Sequence, residues 1–172
     1  MARWLPIDGS SPTSKLVLTD PDFTFEDTVY TSEPHREIYG GAWSRDGTEV
    51  AFFEGSYESG ATLKILNLST GEDRPLCSFS SMGNPPRRVS WAGASDRLVF
   101  DINGTMYLLD GLSSPGTPTP LGPGFGPAWS PDDTQIVYDT RAGVYVKTLY
   151  GSEPDLSIGG QYYSDWRRDP PQ

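Results

Sequence analysis

Three times along the chain a tryptophan precedes a short polar turn, and an apolar run follows at a fixed distance. Trp43-Ser44-Arg45-Asp46-Gly47-Thr48 leads into Val50-Ala51-Phe52, and Trp129-Ser130-Pro131-Asp132-Asp133-Thr134 leads into Ile136-Val137-Tyr138. Trp91-Ala92-Gly93-Ala94-Ser95-Asp96 leads into Leu98-Val99-Phe100, and the three stretches align without a gap. A fourth, partial copy, Ser164-Asp165-Trp166-Arg167-Arg168-Asp169, stops before its apolar half. The four tryptophans lie 48, 38 and 37 residues apart. A repeat near 40 residues carrying a turn and a strand marks a blade or solenoid architecture.

Within each box, Val50, Leu98 and Ile136 share one position, and Phe52, Phe100 and Tyr138 share another two residues on. A strand's period of two puts both on one face. The intervening Ala51, Val99 and Val137 are apolar as well, so the strand is covered on both faces. Asp46, Asp132 and Asp133 suit turns through bonds to their own backbone.

The pattern predicts four strands per repeat. In the first repeat they are Gly41–Ser44, Glu49–Glu54, Thr62–Leu68 and Arg74–Phe79. In the second they are Val89–Trp91, Arg97–Asp101, Thr105–Leu109 and Thr119–Leu121. In the third they are Pro127–Trp129, Gln135–Asp139, Gly143–Leu149 and Asp155–Ile158. Two further strands, Arg3–Ile7 and Lys15–Thr19, flank an Asp8-Gly9-Ser10-Ser11 turn, and residues 20–37 read as a long acidic surface loop.

A four-stranded sheet cannot bury both faces alone, so it must stack on a neighbour. Stacked radially, such sheets make an all-β propeller. The expected organisation is a single domain over 1–172, with repeats at 38–80, 88–122 and 127–159, closing strands in 1–20 and the start of a fourth repeat in 164–172. The terminal strands read as the third and fourth of a blade whose first comes from Asp165-Trp166-Arg167. Together they would form a composite blade lacking its second strand, about four blades in all; the alternative is an open partial propeller. In either case Trp43, Trp91, Trp129 and Trp166 are expected to pack between blades.

Trp-Ser-x-Asp-Gly followed by a β-branched and aromatic strand resembles the WD-like repeat of the TolB propeller family, over about residues 38–169. Similar blades form the non-catalytic propeller of prolyl oligopeptidase-type enzymes. Ala92-Gly93-Ala94-Ser95 departs from the pattern by losing the turn aspartate. The resemblance implies the fold, and binding in general terms, because one fold hosts many functions. It also suggests a periplasmic or secreted protein, although no signal peptide is visible and the compartment stays unassigned.

Composition narrows the chemistry. A net charge of −10 over 172 residues disfavours nucleic acid and anionic membranes. The longest apolar runs fall far short of a bilayer span. His35 is the sole histidine and no Gly-x-Ser-x-Gly elbow accompanies it; one histidine and one cysteine cannot make a His/Cys metal cluster. The expectation is therefore no enzyme, no cofactor and no metal. Asp20, Asp22, Glu26 and Asp27 lack the spacing of a calcium-binding EF-hand loop. Cys77 follows Leu76 and reads as a small buried hydrophobe.

The segments entering each tryptophan box carry Arg36 and Tyr39, Arg87 and Arg88, Phe125, and Tyr162 and Tyr163. Arginine and aromatic residues are enriched at binding hot spots. These residues are the candidate site of a non-catalytic module for a protein or peptide partner, with an acidic group opposite the arginines. The alternative is a structural subunit that self-associates through its terminal strands into a ring or polymer.

Overall fold

A computed structural model describes the backbone of residues 2–4, and residues 12–151 and 154–159 in full. Every regular element among them is a strand. The first compact unit, Met1–Pro85, holds two sheets. One consists of β1 (Ala2–Trp4), β2 (Ser14–Thr19) and β3 (Glu26–Thr31), in that order; the other of β4 (Glu37–Trp43), β5 (Glu49–Ser56), β6 (Gly60–Asn67) and β7 (Asp73–Phe79). The second unit, Pro86–Gln172, holds two four-stranded sheets. These are β8 (Val89–Trp91), β9 (Arg97–Ile102), β10 (Thr105–Asp110) and β11 (Thr119–Pro123), then β12 (Phe125–Trp129), β13 (Gln135–Thr140), β14 (Gly143–Thr148) and β15 (Leu156–Ser157). All pairs are antiparallel and follow chain order, so each repeat is an up-and-down meander.

Local chemistry sets these hairpins. Asn103 and Gly104 both take positive φ between the paired Ile102 and Thr105, which is the two-residue turn whose twist matches its strands. In the box turns, Asp46 accepts from the Ser44 hydroxyl and from the Thr48 amide and hydroxyl; Asp132 does the same for Ser130 and Thr134. The second strands form the core: Leu98, Val99, Phe100 and Ile102 are fully buried, as are Ala51, Phe52 and Phe53.

The acidic stretch after Asp20 departs from the expected loop. Thr28-Val29-Tyr30-Thr31 are β-branched and aromatic and belong to β3, which pairs with β2, so the expected loop shrinks to two short connections, 20–25 and 32–36. This also corrects the blade position of the N-terminal strands. Leu16 of β2 packs in the first unit with Val50 and Leu66, with Val29 and Leu68 beside them. Leu108 of β10 packs in the second unit with Ile136, with Leu121 and Leu149 beside them. Thus β2 and β3 match β10 and β11, the third and fourth strands of a blade, and β1 takes the second place. The place without a strand among the described residues is the first, not the second. The predicted Leu5-Pro6-Ile7 segment, the Asp8-Gly9 turn and the C-terminal closing stretch 164–172, with Trp166, lie outside the described residues.

The three described box tryptophans do not share one environment. Trp129 is 6% exposed, packed on Ala92, Val99, Leu108 and Ile136 beneath the Arg97 guanidinium, 4.7 Å from the ring centroid. Trp91 is half-buried, and Trp43 is 53% exposed, against the expected inter-blade packing. The reason lies in the preceding sheet. Trp129 rests on a sheet whose first strand is β8, and its amide donates to the Ser90 hydroxyl 3.2 Å away. Trp43 faces a sheet with no such strand among the described residues.

Candidate functional site

Alignment of the boxes places Tyr39, Arg87, Phe125 and Tyr162 at one position, four residues before the tryptophan. Tyr39 and Phe125 share a backbone device. Tyr39 pairs with Phe53 and Phe125 with Asp139, and in both strands the register shifts before the alanine that precedes the tryptophan. Gly40 and Gly126 carry the positive φ of these bulges, at +65° and +59°. The extra residue turns the aromatic side chain away from the strand's regular alternation.

In the second unit the anchor is a carboxylate that the sequence reading passed over. Asp101 ends the apolar run of β9 and is 1% exposed. Its oxygens accept from the amides of Arg87 at 3.2 Å, Arg88 at 3.1 Å and Gly126 at 3.1 Å. One buried side chain therefore fixes the segments entering two successive boxes. Burial raises its pKa above the ordinary aspartate value, against the three amides and the Arg87 charge, which lower it. The signal was present in the sequence: an aspartate closes the apolar strands Leu98-Val99-Phe100-Asp101 and Ile136-Val137-Tyr138-Asp139, where only a partnered charge belongs. Asp139 is buried too.

On this anchored backbone Arg87 lies exposed with its guanidinium 4.5 Å from the Phe125 ring centroid. No carboxylate among the described residues pairs with it, so the cation is held in place by the ring and is open to an anion. Arg88 is half-buried beside it.

In the first unit Arg36 is half-buried and donates to the Glu54 carbonyl at 3.3 Å, while its Nε is buried without an acceptor. Tyr39 is half-buried and donates to Glu37 at 2.6 Å; burial and that carboxylate raise its pKa. Here Phe53 stands where Asp101 and Asp139 stand, and Glu54, 1% exposed, replaces their function from the next position. It accepts from the Glu33 amide and the Tyr30 hydroxyl and pairs with Lys64 at 2.6 Å. His35 is exposed with a φ of +63°, and no serine, cysteine or carboxylate is hydrogen-bonded to its ring among the described residues. Asp20 is engaged as a turn acceptor for Thr24 and Phe25. Tyr162 and Tyr163 lie outside the described residues.

A second carboxylate resolves the irregular second box. Asp133 accepts from the amides of Gly93 at 2.6 Å and Ala94 at 2.7 Å, and from the Ser95 hydroxyl. The turn that lost its own aspartate takes one from the next blade.

No protein-family profile matches the chain, and no curated protein does. Solved structures do match. TolB from Acinetobacter baumannii shares 22% identity at a TM-score of 0.64, over 84% of this chain and 37% of TolB. An oligogalacturonate lyase in complex with manganese shares 17% at 0.60, over 86% of this chain and 47% of the lyase. A chain of a nidogen/laminin complex shares 12% at 0.64, over 84% and 59% respectively. The present chain thus spans between about a third and three fifths of the length of these proteins. At these identities the likeness is one of fold, and the fold is that of a β-propeller built from TolB-like blades.

Proposed function

We propose that the chain is a non-catalytic binding module whose box-entry segments hold a protein or peptide partner through a carboxylate. The observation that carries this reading is the Arg87 guanidinium stacked on Phe125, over backbone that Asp101 pins at three amides. A cation fixed before the ligand arrives costs little ordering on binding. Against a net charge of −10 it also forms a local positive feature that steers an anionic group inward. That one similar fold comes from a nidogen/laminin complex is compatible with a protein partner. Another comes from a lyase, so fold alone assigns neither activity nor its absence.

The test pairs Arg87→Glu/Arg88→Glu with the unchanged chain, measuring affinity for a partner captured by the latter at low and moderate salt. Charge reversal is expected to weaken binding by about tenfold or more and to abolish its salt dependence. Equal affinity and equal salt dependence in the two chains would remove this surface as the binding site.

A further inference from the structure

A separate feature lies in the second unit, in the connection from β10 to β11. It reads Ser113-Ser114-Pro115-Gly116-Thr117-Pro118-Thr119-Pro120, so Ser114, Thr117 and Thr119 each precede a proline. A residue before proline is pushed out of the helical region into an extended conformation. This strap is held to its sheet at both ends. Leu112 is 1% exposed and its amide donates to Asp96 Oδ2 at 3.3 Å, while the Gly111 amide donates to the Asp96 carbonyl at 3.0 Å. Further on, a Cβ on Gly116 would lie 3.0 Å from Leu109 Cδ1, so the backbone there rests on the sheet.

Around these anchors the hydroxyls are presented outward. Ser113, Ser114, Thr117 and Thr119 are all exposed, and none of their hydroxyls hydrogen-bonds to another described residue. The matching connection of the first repeat is shorter and uses its hydroxyls. There Ser69 donates to Asn67 Oδ1 at 2.7 Å, and Thr70 Oγ1 accepts from the Glu72 amide at 3.3 Å. Hydroxyls that shape the turn in one repeat are spare in the other. β11 is also the outermost strand of its sheet, so the strap runs into an edge strand rather than into the sheet interior.

The chemistry of the strap selects what it takes. Residues 111–131 carry no charged side chain, in a chain where 21% of residues are charged. Asp110 precedes the strap and Asp96 holds its backbone, so phosphoryl groups there would meet like charge. Docking of Pro115-Gly116-Thr117-Pro118 as a proline-rich ligand needs both rings outward, and Pro118 is half-buried. A neutral group meets neither objection, and serine and threonine interleaved with proline is the composition of O-glycosylated segments. We propose that Ser114, Thr117 and Thr119 are acceptors for O-glycosylation. The donor is a phosphate-activated sugar. The hydroxyl oxygen bonds to the sugar C1, the C1–O bond to phosphate breaks, and the hydroxyl proton leaves with the phosphate. This site rests on none of the observations behind the Arg87–Phe125 stack, so either can fail without the other.

The test is mass spectrometry of the full chain isolated from the organism that makes it, with fragmentation that leaves side-chain groups in place. The expected result is a ladder of whole sugar residues on the peptide spanning 111–120, removed by alkaline β-elimination. Ser114→Ala/Thr117→Val/Thr119→Val, produced in the same organism, should lose the ladder. It should keep the melting curve, because those hydroxyls bond to no other described residue. An unmodified mass in the native chain overturns the proposal. So does a ladder that persists in the triple variant, or sugar confined to other residues. Phosphate on the same hydroxyls overturns it as well, and makes the strap a kinase substrate instead.

Discussion

Replacing Trp129 and Trp43 by alanine perturbs the same repeat position in two environments. Trp129 is 6% exposed against four apolar neighbours, so Trp129→Ala empties a closed space, at about 3–5 kcal/mol. Loss of the ring under Arg97 adds roughly 0.5–2 kcal/mol. One term opposes these: the Trp129 indole N–H is buried without an acceptor, and deleting it recovers about 1–3 kcal/mol. The net expectation is about 3–4 kcal/mol. Trp43 has about half its surface in water and leaves an open groove that solvent fills, so only a transfer term remains, roughly 1–1.5 kcal/mol. Urea unfolding followed by far-UV circular dichroism at unchanged m-value gives both numbers. Trp129→Phe keeps a ring beneath Arg97 and removes the orphaned N–H, so it should cost about 1 kcal/mol. Losses at Trp43 and Trp129 within about 0.5 kcal/mol of each other would refute the claim that the preceding sheet decides what the tryptophan does.

Asp133→Ala should destabilise by about 1.5–3 kcal/mol in the same assay, because it removes a buried carboxylate that holds two part-buried bonds from the amides of Gly93 and Ala94; Asp46→Ala, in an exposed turn without such a clasp, should cost less. Glu54→Gln should cost about 3 kcal/mol at pH 7 by leaving Lys64 without its closest partner. Burial raises the Glu54 pKa, but Lys64, the Glu33 amide and the Tyr30 hydroxyl together hold it below the ordinary value. Its contribution is therefore present above the unfolded pKa of about 4.3 and lost as pH falls through the depressed folded value. The gap between wild type and variant should narrow below about pH 4 in acid titrations of stability. Burial pushes the Cys77 thiol up to about 12, so labelling at pH 8 should run at least about a hundredfold slower than in the urea-unfolded chain.

The repeats were legible because each box states its turn and its two-faced strand within ten residues. All twelve strands read from the three boxes are present, with ends shifted by a few residues. The strand Glu26–Thr31 was missed because its solvent face is acidic, and the charges of Glu26 and Asp27 outweighed Val29 and Tyr30, which alone touch the core. The different exposures of Trp43 and Trp129 were not legible, since the two boxes match and the difference lies in the sheet placed before each. The candidate residues at the box entry were found as types, but what organises them is not local. Asp101 is 14 residues from Arg87 and 25 from Gly126, and only the antiparallel register brings the three together.

The most direct test of that organisation is a pH titration of the backbone amides of Arg87, Arg88 and Gly126 by NMR, with their hydrogen exchange. If Asp101 pins them, all three amides are protected. They then shift together with one apparent pKa, above the ordinary aspartate value, and Asp101→Asn abolishes the common transition. Amides that exchange as in an unstructured loop, or that titrate independently of one another, would contradict the account.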